Sequence, residues 1–253
     1  MVDRPTQRTD PLAGETAIVT GASSGIGAAT ARVLAADGAD VVCAARREDR
    51  LTELAAEIER NTDAAARAVP TDVTDPDAVA ALAEQTVDEF GDIGVVVANA
   101  GVGIDESVAE MSDETYETMR GVNVDGMFYT ARETIPALTE SAGTLVFVGS
   151  MAGQHPRPGN PVYAATKWWT RGFAVSLQAS VGDDGVAVTC VNPTEVRTEF
   201  GSESGAPAAE RHDPEDVTEP IEVADAISFA ARQRAPNGVV SLDLYRRDKL
   251  TQF

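Results

Sequence analysis

The sequence predicts one α/β domain built on a doubly wound parallel sheet. Three observations carry that expectation. Short apolar runs rich in Val alternate with longer helical patterns along most of the chain. The runs are apolar on both faces, as in parallel strands that helices cover from each side. The first run passes directly into Thr20-Gly21-Ala22-Ser23-Ser24-Gly25-Ile26-Gly27 and then a helix, at the start of a βαβ unit. A length of 253 residues suits one large α/β domain with a sizeable core.

Seven strands are expected, at Thr16–Thr20, Asp40–Ala45, Ala66–Pro70, Ile93–Asn99, Thr144–Gly149, Val186–Val191 and Val239–Tyr245. Helices are expected at Ile26–Asp37, Arg50–Asn61, Pro76–Phe90, Asp113–Thr139, Pro161–Val181 and Glu222–Gln233. Asp75-Pro76 and Glu48-Asp49 place acid at helix starts, where the helix dipole favours it. Gly38, Gly91 and Gly182 supply stops. Residues 1–13 read as a tail and 14–253 as the domain, with no internal repeat or linker. Gly201 to Pro220 breaks the rhythm: it is polar and rich in Gly, Ser and Pro. A loop of that length in a compact domain is usually a functional lid or a disordered insert, and a lid over about 194–220 is expected.

Composition narrows the function. The chain carries 41 acidic and 20 basic residues, a formal charge of −21. That balance argues against a nucleic-acid binder, which needs clustered basic charge. No apolar run reaches the length of a membrane helix, and the polar N-terminus lacks the apolar core of a secretion signal, so a cytoplasmic protein is expected. Of the 20 basic residues only Lys167 and Lys249 are lysines, and the other 18 are arginines. Acidic surplus with lysine nearly eliminated matches proteins of salt-saturated cytoplasm, a haloarchaeal-type composition. Acidity alone would also suit an ordinary protein of dilute cytoplasm, but it does not explain the missing lysines. Lys249, near the end of the chain, reads as a solvated tail residue. Cys43 and Cys190 lie in apolar strand patterns and read as small buried thiols. No Cys/His cluster has metal spacing.

The Gly-rich turn is a dinucleotide-binding arrangement. Gly21 allows the tight turn, Gly25 lets the backbone approach a pyrophosphate, and Gly27 lets helix and strand pack closely. The helix N-terminus, with Ser23, Ser24 and Ile26 beside it, then offers N–H groups to phosphate. About 20 residues beyond such a loop, NAD sites place a carboxylate for the adenosine ribose 2′-hydroxyl. Here that position is Ala45, followed by Arg46 and Arg47. A guanidinium binds a 2′-phosphate bidentately, so NADP(H) is expected over NAD(H).

Further residues follow in an order that resembles the short-chain dehydrogenase/reductase family in its compact branch. They are Asp72-Val73, Ala98-Asn99-Ala100-Gly101 (the family usually shows NNAG), Asn123, Ser150, Tyr163-Ala-Ala-Thr-Lys167 and Asn192-Pro193-Thr194. The intervals Asn123–Ser150, 27 residues, and Ser150–Tyr163, 13 residues, are also similar to the family's. The apolar ending Gly238-Val239-Val240-Ser241-Leu242-Asp243-Leu244 resembles the branch of NADP-dependent hydroxy-acid and serine-type dehydrogenases. The resemblance implies a Rossmann-type sheet in the order 3-2-1-4-5-6-7. It implies a cofactor site over the Gly loop, Asp72, Val73, Asn99, Ala100, Gly101, Tyr163, Lys167, Pro193, Thr194, Val196 and Thr198. It also implies association as a homodimer or homotetramer through the helices near 113–139 and 161–181. Thr194 stands where the family more often has Gly and stiffens the start of its loop.

The chemistry of the motif can be read directly. Tyr163 and Lys167, four residues apart, share a helix face. A free phenol titrates near pH 10, and a nearby ammonium favours the phenolate. Tyr163 can then exchange a proton with a substrate oxygen as general acid or base. That one of two lysines survives here indicates a need for its ammonium, which Arg does not replace at such a site. The resemblance implies that Lys167 also holds the nicotinamide ribose, Ser150 orients the carbonyl, and Asn123 holds a water linking Lys167 to solvent. Arg157, Glu195, Arg197, Arg211 and His212 fall near the substrate end. One of these arginines could hold a substrate carboxylate, although surface pairing is the commoner use. Trp168 and Trp169 read as core and subunit-packing residues. The expected activity is interconversion of a secondary alcohol or hydroxy acid and a ketone. A non-catalytic redox sensor is the alternative. It would need only the Gly loop and the arginine pair, so the complete set Asn123, Ser150, Tyr163, Lys167 speaks against it.

Overall fold

A computed structural model describes residues 10–201, 208–213 and 216–252. Residues 1–9 of the expected tail, and 202–207 and 214–215 of the expected lid, lie outside the described residues. Seven strands form one parallel sheet in the order β3-β2-β1-β4-β5-β6-β7. They are β1 (Thr16–Thr20), β2 (Asp40–Ala45), β3 (Ala66–Pro70), β4 (Val95–Ala98), β5 (Thr144–Val148), β6 (Ala187–Pro193) and β7 (Ser241–Leu244). The longer helices are α1 (Gly25–Ala36), α2 (Glu48–Asn61), α3 (Pro76–Phe90), α4 (Asp113–Arg120), α5 (Gly126–Ser141) and α6 (Pro161–Val181). The short α7 (Ala208–Arg211) and then α8 (Pro220–Ala231) follow β6.

Alternation along the strands divides the core. Ala17, Val19, Val95, Val97, Val146 and Val148 face α1, α2 and α8, where Leu34, Leu51, Ile58 and Ile227 are buried. Ile18, Val96, Ala98, Leu145 and Phe147 face α3, α5 and α6, against Leu82, Leu138 and Ala174. Each large apolar side chain removed from water contributes about 1.5–3 kcal/mol. Two-sided burial fails at the sheet margins. β3 and β7 have half-exposed or exposed residues because each has a strand neighbour on one side only.

The ends of the elements follow local chemistry. Asp75 accepts from the backbone N–H of Asp77 and Ala78 and so caps α3, which ends at Gly91 in the left-handed region. α6 ends at Val181 with Gly182 at its C-cap, as expected, but not by a left-handed glycine. Gly182 has φ −63°, a short 3-10 turn follows, and Gly185 at φ +90° makes the reversal. The continuous helix expected over Asp113–Thr139 is also divided. A π-type turn at Gly121–Asp125 separates α4 from α5, and Asn123 sits inside it. A wide turn aims a side chain that a regular helix would direct elsewhere.

The expected loop is partly tied down. Val196 bridges Thr218, the Arg197 N–H donates to Thr218 O, and the Ala209 N–H donates to Thr198 O. Cys43 and Cys190 are buried free thiols, on strands four places apart in the sheet. At ~4.8 Å per place that is about 19 Å, too far for a disulfide. Burial pushes the Cys43 thiol up to about 12 and Cys190 to about 11. Among the described residues no helix is long and apolar enough to cross a membrane, and no His/Cys/Asp/Glu group could hold a metal.

Candidate active site

Strand order reverses beside β1, since β2 and β4 are its two neighbours. A crevice opens there at the carboxyl ends of the strands, the place where open α/β sheets bind ligands. A cavity of about 410 Å³ occupies it. Every residue expected to bind the cofactor or act in catalysis lines this cavity except Gly27 and Asn123, as do Arg157, Glu195 and His212 but not Arg197.

The Gly loop is pinned to the end of β4. Thr20 Oγ1 accepts from the N–H groups of Asn99 at 3.0 Å and Ala100 at 3.2 Å. Asn99 Nδ2 donates back to Thr20 O at 2.9 Å. Gly21 has φ +68°, and a Cβ there would lie 2.8 Å from Asn99 Nδ2. Gly27 acts from behind the cavity wall, where a Cβ would collide with Gly21 O. At Gly25 (φ +53°) a Cβ would meet Thr198 Cγ2 at 3.0 Å, so the loop also needs its glycine for the segment crossing above it. Ser24 precedes α1 without capping it by its side chain, which leaves N–H groups at that helix start for a ligand.

Arg46 and Arg47 line the cavity beside the Gly loop. Arg47 donates to Ser23 Oγ at 2.9 Å and Ser24 Oγ at 2.8 Å. Asp72 accepts from Thr74 N at 2.9 Å and Thr74 Oγ1 at 2.8 Å. Burial alone would raise the Asp72 carboxyl. The Thr74 hydrogen bonds and the Arg46 charge outweigh it and hold the group below its ordinary value.

At the other end, β5 delivers Ser150 and α6 delivers Tyr163 and Lys167. Pro161 opens α6, and Asn160 Oδ1 caps it by accepting from Tyr163 N at 3.2 Å. Asn160 Nδ2 donates to Asp105 Oδ1 at 2.7 Å. Ser150 Oγ accepts from Ala152 N at 3.1 Å. Lys167 is 4% exposed, and its Nζ donates to Val148 O at 2.9 Å. Asn123, fully buried, takes 2.9 Å and 2.8 Å hydrogen bonds with Val102 N and O and donates to Thr166 Oγ1 at 3.1 Å. Its amide is therefore a strut between the loop after β4 and α6.

Burial pushes the Tyr163 hydroxyl above an ordinary phenol, although its hydrogen bond with Ser150 and the charge of Arg157 pull it down. The expected lowering by Lys167 is not what this geometry shows. The Lys167 Nζ stands 5.8 Å from the Tyr163 ring centroid and is turned to Val148 O. Burial instead lowers Lys167 itself, from 10.5 to about 8.

Several participants are absent from the sequence reading. Lys249 is not a solvated tail residue. Its Nζ lies 2.5 Å from Glu195 Oε1 and its side chain is 12% exposed. Lysine scarcity, which marked Lys167, marked Lys249 equally. Phe200 packs on the Tyr163 ring with centroids 5.5 Å apart. Glu199 bridges Arg47 and Arg50. Arg197 pairs with Glu219 at 2.7 Å, and Arg157 stands 4.0 Å from Glu195. His212 lines the cavity, and the Arg211 side chain lies outside the described residues.

A reversal-point crevice with a glycine cradle at one end and a Ser-Tyr-Lys set at the other defines a nucleotide-dependent oxidoreductase of the Rossmann type. The chain belongs to the short-chain dehydrogenase family, whose model matches residues 15–208, and it is an enzyme of that family. It is 34% identical over 209 residues to an uncharacterised oxidoreductase of Staphylococcus saprophyticus, covering 82% of this chain and 89% of the relative. An alcohol dehydrogenase from the archaeon Thermococcus sibiricus, complexed with 5-hydroxy-NADP, superposes with a TM-score of 0.83 at 30% identity, over 91% of this chain and 95% of that one. A 3-ketoacyl-(acyl-carrier-protein) reductase from Brucella melitensis, complexed with NADH, has a TM-score of 0.83 at 28% identity, over 92% and 98%.

Proposed function

We propose that this chain is an NADP(H)-dependent oxidoreductase that interconverts a secondary alcohol or hydroxy acid and a ketone. The observation that carries the reading is the enclosure of Ser150, Tyr163 and Lys167 in one cavity with the glycine cradle and Arg46-Arg47. The cradle fits a dinucleotide: Gly21 and Gly25 place no side chain on the cavity wall, Gly21 packs its backbone against Asn99 and Ala100, and α1 presents free N–H groups beside it. Arg46 and Arg47 receive the 2′-phosphate, where Ala45 offers no carboxylate to repel it. The Thermococcus enzyme's 5-hydroxy-NADP agrees with this choice; the Brucella enzyme's NADH makes the arginines, not the fold, the deciding feature.

The bound nicotinamide supplies or accepts the hydride. The chain's own groups do the rest. The Ser150 hydroxyl donates to the carbonyl oxygen and orients it. Tyr163, raised and so protonated at neutral pH, gives its proton to that oxygen during reduction and takes it back during oxidation. The Lys167 ammonium stabilises the phenolate this leaves and holds the nicotinamide ribose. Asn123 sets the spacing of Lys167 through Thr166. Glu195, Phe200, Ala208 and His212 wall the substrate end of the cavity.

NADPH is expected to bind and turn over at least tenfold better than NADH. Arg46→Asp is expected to erase most of that preference by placing a carboxylate beside the 2′-phosphate. Equal use of the two cofactors by the wild-type enzyme, measured by initial rates at matched concentrations, sinks the assignment.

We infer a cytoplasmic homodimer or homotetramer with a salt-adapted surface. Trp169 and Phe173 stack on each other at 4.7 Å and pack, partly buried, against the core. Tyr116, Phe128, Trp168 and Val175, on α4, α5 and α6, are exposed. Such a patch is the surface that helix pairing between subunits would cover. Light scattering in molar KCl should give at least twice the 26.5 kDa chain mass, and Trp168→Glu should lower it towards that mass.

A further inference from the structure

The adenosine end of the cavity holds an anion of the chain's own. Arg50 Nη1 donates to both Glu199 carboxylate oxygens, at 2.9 and 2.8 Å. Arg47 Nη1 donates to Glu199 Oε2 at 3.2 Å, while its Nε and Nη2 are spent on Ser23 and Ser24. Burial alone would raise the Glu199 carboxyl, but the hydrogen bonds from Arg50 and Arg47 hold it below its ordinary value, so it is ionised. Glu199 is held there from both sides in the chain. Thr198 lies against Gly25 of the loop, and Phe200 lies on the Tyr163 ring.

Arg47 therefore serves two anions. Its contacts with Ser23 and Ser24 place it in the phosphate-binding loop, where the proposed function puts the 2′-phosphate. Its remaining nitrogen, and Nη1 of Arg50 three residues further along, are turned to a carboxylate instead. A phosphate monoester, at nearly two negative charges, can displace one carboxylate from two guanidiniums. A neutral 2′-hydroxyl cannot.

We propose that Glu199 is a specificity-determining residue: its carboxylate occupies the Arg47–Arg50 seat and must yield it when a cofactor bearing a 2′-phosphate binds. Binding of NADP(H) is then an exchange of anions, and Arg50 joins Arg46 and Arg47 as a phosphate ligand once Glu199 leaves. Binding of NAD(H) leaves the Glu199 pairs intact. Glu199 thus lowers the affinity for NADPH while leaving that for NADH unchanged. The proposal rests on the NADP(H) reading of the site.

The test is calorimetric binding of NADPH, NADH and the fragment 2′-AMP to the full chain, with no turnover. Glu199→Gln removes the competing charge at nearly constant shape. It is expected to tighten NADPH and 2′-AMP about two- to fivefold, the upper range of exposed charged pairs, and to leave NADH within twofold. Glu57→Gln is the control. It breaks an exposed pair between Glu57 on α2 and Arg32 on α1, with the same change in net charge. It should leave all three ligands within twofold. An unchanged or weaker NADPH affinity in Glu199→Gln overturns the proposal, as does equal tightening in Glu57→Gln, which would reflect net charge alone. A wild-type enzyme that prefers NADH is a different failure. It removes the NADP(H) reading, while 2′-AMP binding still reports whether Glu199 guards the seat.

Discussion

Tyr163→Phe is expected to lower kcat for ketone reduction by about 10²–10⁴, the usual loss when a positioned general acid is removed. NADPH affinity should change less than threefold, because the ring and its contact with Phe200 remain. Lys167→Met should lose both turnover and cofactor affinity, since Lys167 is proposed to act on the phenolate and on the ribose. The pH profile separates charge from shape. The folded enzyme holds Lys167 at about 8, against an ordinary 10.5. Its ammonium is present below that value and lost as pH rises through it. The Tyr163 phenol, raised above its ordinary value, keeps its proton through the same window. Reductive kcat/KM, which reports the free enzyme, should therefore be flat below and fall above about pH 8. Lys167→Arg should be slower but lack that inflection, because a guanidinium stays charged. Unfolding does not mimic the fall. A base with a depressed folded pKa adds stability as pH rises from the folded to the unfolded value, here from about 8 towards 10.5. Retained activity in Tyr163→Phe at each pH would end the proposed role.

The fold was legible because its signals are local. Strand alternation, the cap at Asp75 and the left-handed stop at Gly91 depend on a few neighbouring residues each. The division of the 113–139 helix was not legible. What opens the turn around Asn123 is its pairing with Val102 and Thr166, 21 and 43 residues away in sequence. The site shows the same divide. Gly21, Ser150, Tyr163 and Lys167 announce themselves by spacing. Glu199 and Lys249 act through partners 149 and 54 residues away, Arg50 and Glu195, which no periodicity connects. Lys249 carries one signal in the sequence, its rarity, and a place near the chain end masks it. The expected acidity of the Tyr163–Lys167 pair rests on separation along a helix. Separation fixes the face but not the direction of Nζ, and the Val148 carbonyl claims that.

Stability and activity are both expected to rise from dilute buffer towards molar KCl. The formal charge is −21. The outer flanks of α2 and α3 alone expose Glu48, Asp49, Glu53, Glu59, Asp77, Glu84, Asp88 and Glu89. Ionised carboxylates without partners stay in water, so their repulsion acts across the surface. At 0.01 M salt the Debye length is about 30 Å, larger than the radius of gyration of ~18 Å expected for this length. Every carboxylate then feels most of the others. At ~1 M the Debye length is about 3 Å and only near neighbours interact. Exposed pairs such as Arg32–Glu57 weaken over the same range, but each contributes less than about 1 kcal/mol. Relief of about 3 kcal/mol of repulsion would raise Tm by roughly 6–12 °C. The cofactor is itself an anion and must approach a surface of its own sign, so capture should also quicken with salt. Direct contact of Arg46 with the 2′-phosphate has the opposite dependence. Apparent NADPH affinity should therefore improve or stay level as KCl increases, while in Arg46→Ala the improvement should be steeper because the opposing contact is gone. Screening would place most of the gain below about 0.2 M, where the Debye length shrinks fastest in absolute terms. A Tm and a kcat/KM unchanged between salt-free buffer and molar KCl would show that the acidic surface does not govern this enzyme, and would leave the roles of Tyr163 and Lys167 untouched.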